Sequence, residues 1–148
     1  MKAFLQISGV RGNSGDPYHT GWIELDRLDM ASASKARRPR GAPSNWVPPL
    51  VLQCAAVTGP FALALKVAAD TGRSYDSATL DVVGARRGGS VASTRVRMQQ
   101  LHVSTYETVE DPGLRQPFIR FTLVADEHRY ERGVALGLAM PHEALHAS

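Results

Sequence analysis

Apolar positions come in short runs along this chain, set apart by clusters of Gly, Pro, Asp and Ser, the pattern of a protein built mainly from strands. Lys2 to Ile7 is rich in strand formers, and Trp22 to Leu25 resumes that character after a run of Gly, Asn, Asp and Pro that no regular element tolerates. The two read as strands joined by a structured loop. From Asp29 to Pro49 the chain is dense in Ala, Ser, Arg, Pro and Gly and has no apolar periodicity. An extended loop is therefore expected at about residues 30–48, longer than connections in compact domains usually run. Leu50 to Ala55 is a short apolar run compatible with a buried strand. Gly59 and Pro60 then open a helix that carries Phe61, Ala64, Leu65 and Ala68 on one stripe and stops at Gly72. Its other side bears Leu63 and Val67 beside Lys66 and Asp70, more apolar surface than one sheet needs to cover it, and this implies a neighbouring subunit.

From Ala78 onward the pattern is strands: Thr79 to Val83, a turn from Gly84 to Gly89, Thr94 to Thr108, an Asp111-Pro112-Gly113 turn, and Pro117 to Arg129. In the last strand Ile119, Phe121, Leu123 and Ala125 alternate with Phe118, Arg120, Thr122 and Val124, one core face and one half-polar face. In the preceding strand Val96 and Met98 share one phase while Leu101 and Val103 take the other, so a β-bulge is expected at Gln99 and Gln100. The element order predicts a mostly β (α+β) chain, a barrel with one packed α-helix, in a single domain over residues 1–148. A flexible C-terminal tail is expected from about residue 133.

Composition narrows the function. The chain has 148 residues, 43% of them hydrophobic and 21% charged, and no apolar run approaches the ~20 residues of a membrane span. Membrane insertion is not expected. Gln6 and Ser8 interrupt the apolar N-terminus before a signal-peptide core forms, so folding in the cytoplasm is expected. The one cysteine, Cys54, lies in an apolar run and reads as a buried small hydrophobe. The net charge of +3 would suggest nucleic acid, but Lys35, Arg37, Arg38 and Arg40 fall in one loop and Arg86 and Arg87 in another. Only Trp46 lies near the first group, whereas a nucleic-acid-binding barrel would want its cations on one face with interleaved aromatics.

Candidate chemistry is sparse. His142-Glu143-Ala144-Leu145-His146 is a literal H-E-x-x-H, the zinc-hydrolase pattern in which two histidines one helical turn apart hold the metal and the glutamate acts as base. It starts directly after Pro141 and ends two residues before Ser148, too short for the buried helix and third ligand that such a site needs. No metal or cofactor is expected. A nucleophile elbow is absent, and Gly9, Gly12 and Gly15, spaced every three residues, match no phosphate-binding loop. His102 and His128 lie in or at the end of strands, where a hydrogen-bonded structural role is the default. In the first loop, Ser14 and Asp16 are placed to bond nearby amides, and His19 is close enough to Asp16 and Glu24 for a carboxylate to hold its ring. A structural hydrogen bond explains that pair without catalysis.

The order Phe-Leu-x-Ile-x-Gly-Val-x-Gly-x-Ser, then Asp-x-x-His-x-x-Trp-Ile-Glu-Leu, occupies residues 4–25 and contains Gly12, Ser14, Asp16, His19, Trp22 and Glu24. It resembles the opening of the haemolysin co-regulated protein family, which forms the inner tube of bacterial type VI secretion systems. Asn13 stands where that family often has an acid, and Leu28, Asp29 and Met30 where an aromatic often follows. The resemblance implies a non-enzymatic subunit whose fold is two sheets closing into a barrel with a helix alongside. It also implies homo-hexameric rings stacking into a secreted tube, with spike, sheath and effector proteins as partners and release from the bacterial cytoplasm without a signal peptide. Leu63 and Val67 would lie at a contact within the ring, and the loop bearing Lys35, Arg37, Arg38, Arg40 and Trp46 would reach the next ring. The tail-tube protein of a contractile phage is the nearest alternative, since it would share fold and assembly.

Overall fold

The computed structural model describes residues 2–32, 38–87, 90–110, 113 and 116–135. Seven strands and one helix follow in the order β1 (Lys2–Ile7), β2 (Ile23–Leu25), β3 (Arg27–Ser32), β4 (Leu50–Val57), α1 (Phe61–Thr71), β5 (Ser74–Arg87), β6 (Ser90–Val109) and β7 (Phe118–Ala135). All strand pairs are antiparallel, in one sheet of order β2-β1-β5-β6-β7-β4-β3. The two sheets expected from the sequence are thus one continuous sheet.

Its curvature follows from the topology. β2 and β3 are the two edges, six strand spacings apart, which would be ~29 Å in a flat sheet. Yet only Asp26 separates Leu25 from Arg27, and two peptide units span at most ~7.6 Å. The sheet therefore curls into a half-barrel that brings one end of each edge strand together at Asp26. Asp26 pins the junction: its N–H donates to the Ala55 carbonyl at 2.8 Å, and its carboxylate accepts from the Val57 N–H at 3.2 Å.

β3 corrects the sequence reading, because residues 27–32 pair with β4 from Arg27↔Ala55 to Ser32↔Leu50. The loop after the second strand thus begins beyond Ser32. β3 is an exposed edge strand with only Leu28 half-buried, so no apolar alternation announced it. β5, β6 and β7 likewise outrun their expected bounds. Gly84, expected in a turn, lies within β5, where the pairing with β6 shifts between Val83 and Arg86. Residues 133–135, expected in the tail, belong to β7. The remaining tail residues, 136–148, lie outside the described residues.

The core fills the curl. Leu5, Leu52, Leu65, Leu80, Val96 and Leu123 are each 0% exposed. Helix α1 contributes Phe61, Leu65 and Ala68 to that core, while Ala64, expected on the same stripe, is exposed. Gly72 ends the helix at φ 72°, and its N–H donates to the Ala68 carbonyl at 2.9 Å.

The expected bulge at Gln99 and Gln100 is a different device. Met98 and Leu101 both face the core although three residues apart, as do Tyr75 and Ala78 on β5. Pairing keeps one register on both sides, Ser77↔Gln99↔Glu127 and Tyr75↔Leu101↔Ala125. Gln100 between them adopts φ 54°, a left-handed turn that reverses the facing of the strand without an inserted residue. The true register shifts between β6 and β7 lie at Ser93/Thr94 and Val103/Thr105.

Candidate functional site

The 8–22 loop folds back over the outer face of β1 and β5. Gly12 N–H donates to the Gly21 carbonyl at 2.7 Å, and Ser14 N–H to the Trp22 carbonyl at 2.8 Å, so the two arms of the loop are laced together at their base. At its tip Ser14 Oγ accepts from the Asp16 N–H at 3.1 Å, and Asp16 Oδ2 from the Tyr18 N–H at 3.1 Å. These turns aim His19 inward, where it is 2% exposed.

The His19 ring stacks on Phe4 with centroids 4.1 Å apart and planes within 2°, and it meets Trp22 edge-on at 4.8 Å. Both ring nitrogens face carboxylates: Nδ1 lies 2.7 Å from Asp16 Oδ2 and Nε2 2.8 Å from Asp81 Oδ2. Asp81, on β5 and 1% exposed, is held from its other side by Arg95 of β6. The guanidinium donates through Nε to Oδ1 at 2.7 Å and through a terminal nitrogen to Oδ2 at 2.9 Å, the bidentate fork of a strong ion pair. The same guanidinium lies 6.0 Å from the Trp22 ring centroid. One strand row explains the juxtaposition, since Glu24, Phe4, Asp81, Arg95 and Glu131 are successive partners across five strands.

Charge balance sets the protonation states. Burial alone would pull the His19 pKa down, but the hydrogen bonds and charges of Asp81 and Asp16 outweigh it, and the net shift is upward from 6.5. For Asp81, burial would raise the pKa, while Arg95 and His19 more than offset that and hold it below 3.8. The stability from His19 is then complete below pH 6.5 and is lost as pH rises through its raised value. That from Asp81 is present above pH 3.8 and is lost as pH falls through its lowered value. Unfolding free energy should fall between pH 6 and pH 9, and by less in a His19→Gln variant. Urea titrations at both pH values check this, and an equal fall in the two proteins would refute the assignment.

Of the two carboxylates expected beside His19, Asp16 bonds the ring and Glu24 does not. Glu24 is exposed and makes no hydrogen bond or ion pair among the described residues, whereas Asp81 holds the ring. The available signal was an acid inside the strand run Thr79–Val83.

The other candidates lie elsewhere. On α1, Leu63 is 70% and Val67 46% exposed, beside the Lys66–Asp70 pair at 3.3 Å. In the loop before β4, Arg38 donates to the Ala42 and Pro43 carbonyls at 2.9 and 2.8 Å, Arg40 is exposed and Trp46 half-buried. Lys35, Arg37, His142, Glu143 and His146 lie outside the described residues. His102 is exposed on β6, and His128 Nδ1 is buried without a hydrogen-bond partner in the described structure, contrary to the expected hydrogen-bonded role. Cys54 is buried, which pushes its thiol pKa far up. Among the described residues no cluster is placed to hold a metal, and no helix is long and apolar enough to cross a membrane.

The ionisable groups of the site are spent on one another, and the fold that carries them is a curled β-sheet in which, among the described residues, a buried charge cluster ties a loop to its wall. The sequence matches the family described as "Type VI secretion system effector, Hcp" over residues 4–131. The chain belongs to that family. Among solved structures it is similar to Hcp1 from Salmonella typhimurium, at 16% identity and TM-score 0.68, with 90% of this chain and 87% of that one covered. It is also similar to a type VI secretion system effector from Yersinia pestis, at 13% identity and TM-score 0.68 with 88% of each chain covered. A third likeness is to the secreted protein Hcp3 from Pseudomonas aeruginosa, at 10% identity and TM-score 0.66, with 90% and 91% covered. At these identities the structures establish the fold. No curated protein sequence matches the chain.

Proposed function

We propose that this protein is a non-enzymatic subunit of the type VI secretion tube, assembled as homo-hexameric rings that stack and are secreted, with spike, sheath and effector proteins as partners. The family match across residues 4–131 carries the reading. In it, the single domain of residues 1–148 closes its curled sheet as a barrel through Asp26, and the polar outer positions Asp29, Gln53, Thr122 and Thr105 give the wall a wettable face. Leu63 and Val67 supply the contact within the ring, since exposed apolar side chains on an otherwise packed helix favour burial against a neighbour. The basic loop supplies the contact between rings, where Arg40 and its neighbours would pair with acids and Trp46 would bury further.

Light scattering is expected to give about six times the 16.0 kDa chain mass. Leu63→Glu and Val67→Glu should reduce it to the monomer while circular dichroism stays unchanged, because a charge desolvated at an interface is costly. Replacing Lys35, Arg37, Arg38 and Arg40 with serine should leave ring mass intact and remove tubes from electron micrographs. A monomeric wild type would sink the ring, intact hexamers in both glutamate variants would remove the helix from its contact, and undiminished tubes in the serine variant would remove the loop from stacking.

A further inference from the structure

Both ring nitrogens of His19 face carboxylate oxygens, and an ionised carboxylate only accepts hydrogen bonds. A neutral imidazole has a single N–H, so both contacts persist only while the ring is doubly protonated. We propose that His19 is a proton-operated latch: protonated, it holds the Asp16 carboxylate at the tip of the 8–22 loop, and loss of one proton releases that carboxylate and loosens residues 16–18 while His19 stays bonded to Asp81 and the sheet stays paired.

The geometry decides which side lets go. Asp81 is 1% exposed and has no access to water to replace a lost donor, and it keeps both Arg95 bonds, so Nε2 retains its hydrogen. Asp16 is 31% exposed and turns to solvent at little cost once Nδ1 is bare. The surrounding groups are Asp16 on the loop itself, Asp81 on β5, and Arg95 on β6 acting through Asp81, with Glu131 of β7 acting on Arg95. Phe4 of β1 and Trp22 contribute uncharged ring contacts. When the Asp16 carboxylate leaves, the Tyr18 N–H loses its acceptor, while the Gly12–Gly21 and Ser14–Trp22 bonds at the base of the loop remain. The change is thereby confined to the turn around Asp16, with His19 still bonded to Asp81.

Nitrogen NMR of the His19 ring, run on the whole protein from pH 6 to 10 with amide hydrogen exchange at each point, tests the latch. The expected result is a midpoint above 6.5, an Nε2–H tautomer beyond it, and a fall of about tenfold in Tyr18 protection at that midpoint. Amides of the Leu5↔Leu80 pairing should keep their protection. In Asp16→Asn the side-chain amide donates to a neutral Nδ1, so the midpoint should drop and Tyr18 protection should no longer change. An Nδ1–H tautomer, Tyr18 protection that stays flat through the midpoint, or a loss shared equally by β1 and β5 would overturn the proposal.

Discussion

Asp81→Asn should lower the unfolding free energy by about 3–5 kcal/mol, the cost of removing one partner from a buried ion pair. The carboxylate is 1% exposed and is the shared acceptor for His19 and for both arms of the Arg95 fork. Asparagine keeps the shape but neutralises the charge, which leaves Arg95 and the Nε2 side of His19 without their shared buried counter-ion. The matching exposed control is Glu107→Gln, whose pair with Arg120 at 3.5 Å has side chains 61% and 64% exposed and should matter by at most ~1 kcal/mol. Urea unfolding of the two variants decides it: equal small losses would mean that Asp81 is not the keystone of the cluster.

Gly12→Ala is expected to cost about 2–4 kcal/mol, the sum of overpacking and weakened backbone bonds. A Cβ at this position would overlap the carbonyl carbon and oxygen of Trp22 and the amide nitrogen of Ile23, all main-chain atoms with no rotamer to escape into. The loop arms would have to part, stretching the bonds from Gly12 to Gly21 and from Ser14 to Trp22. Gly15→Ala is the comparison, because a Cβ there meets nothing within 4 Å. Thermal melts should show a clear drop for the first variant and little change for the second, and two indistinguishable curves would show that the close approach is relieved cheaply.

Elements with a periodic apolar face were legible in the sequence. Helix α1 was marked by Pro60, Gly72 and the spacing of Phe61, Leu65 and Ala68, and β7 by its alternation from Ile119 to Ala125. β3 was invisible because an edge strand exposed on both faces has no such alternation to show. The reversal at Gln100 was located correctly from the phase change between Met98 and Leu101, but sequence phase does not distinguish an inserted residue from a left-handed one. In the site, contacts within the loop could be read because they span two or three residues. The bond from His19 to Asp81 spans 62 positions and depends on the register of β1 on β5, which pattern alone does not fix.

The junction at Asp26 has a mechanical consequence. Open sheets usually fray from a terminal strand, which peels away with only one ladder to break. Here the last residue of one terminal strand is two positions from the first residue of the other, so loosening Leu25 from Ala3 pulls directly on Arg27 and its ladder with Ala55. Peeling either margin works against bonds at both, and a subunit so laced resists unzipping under load along the direction in which its strands are joined.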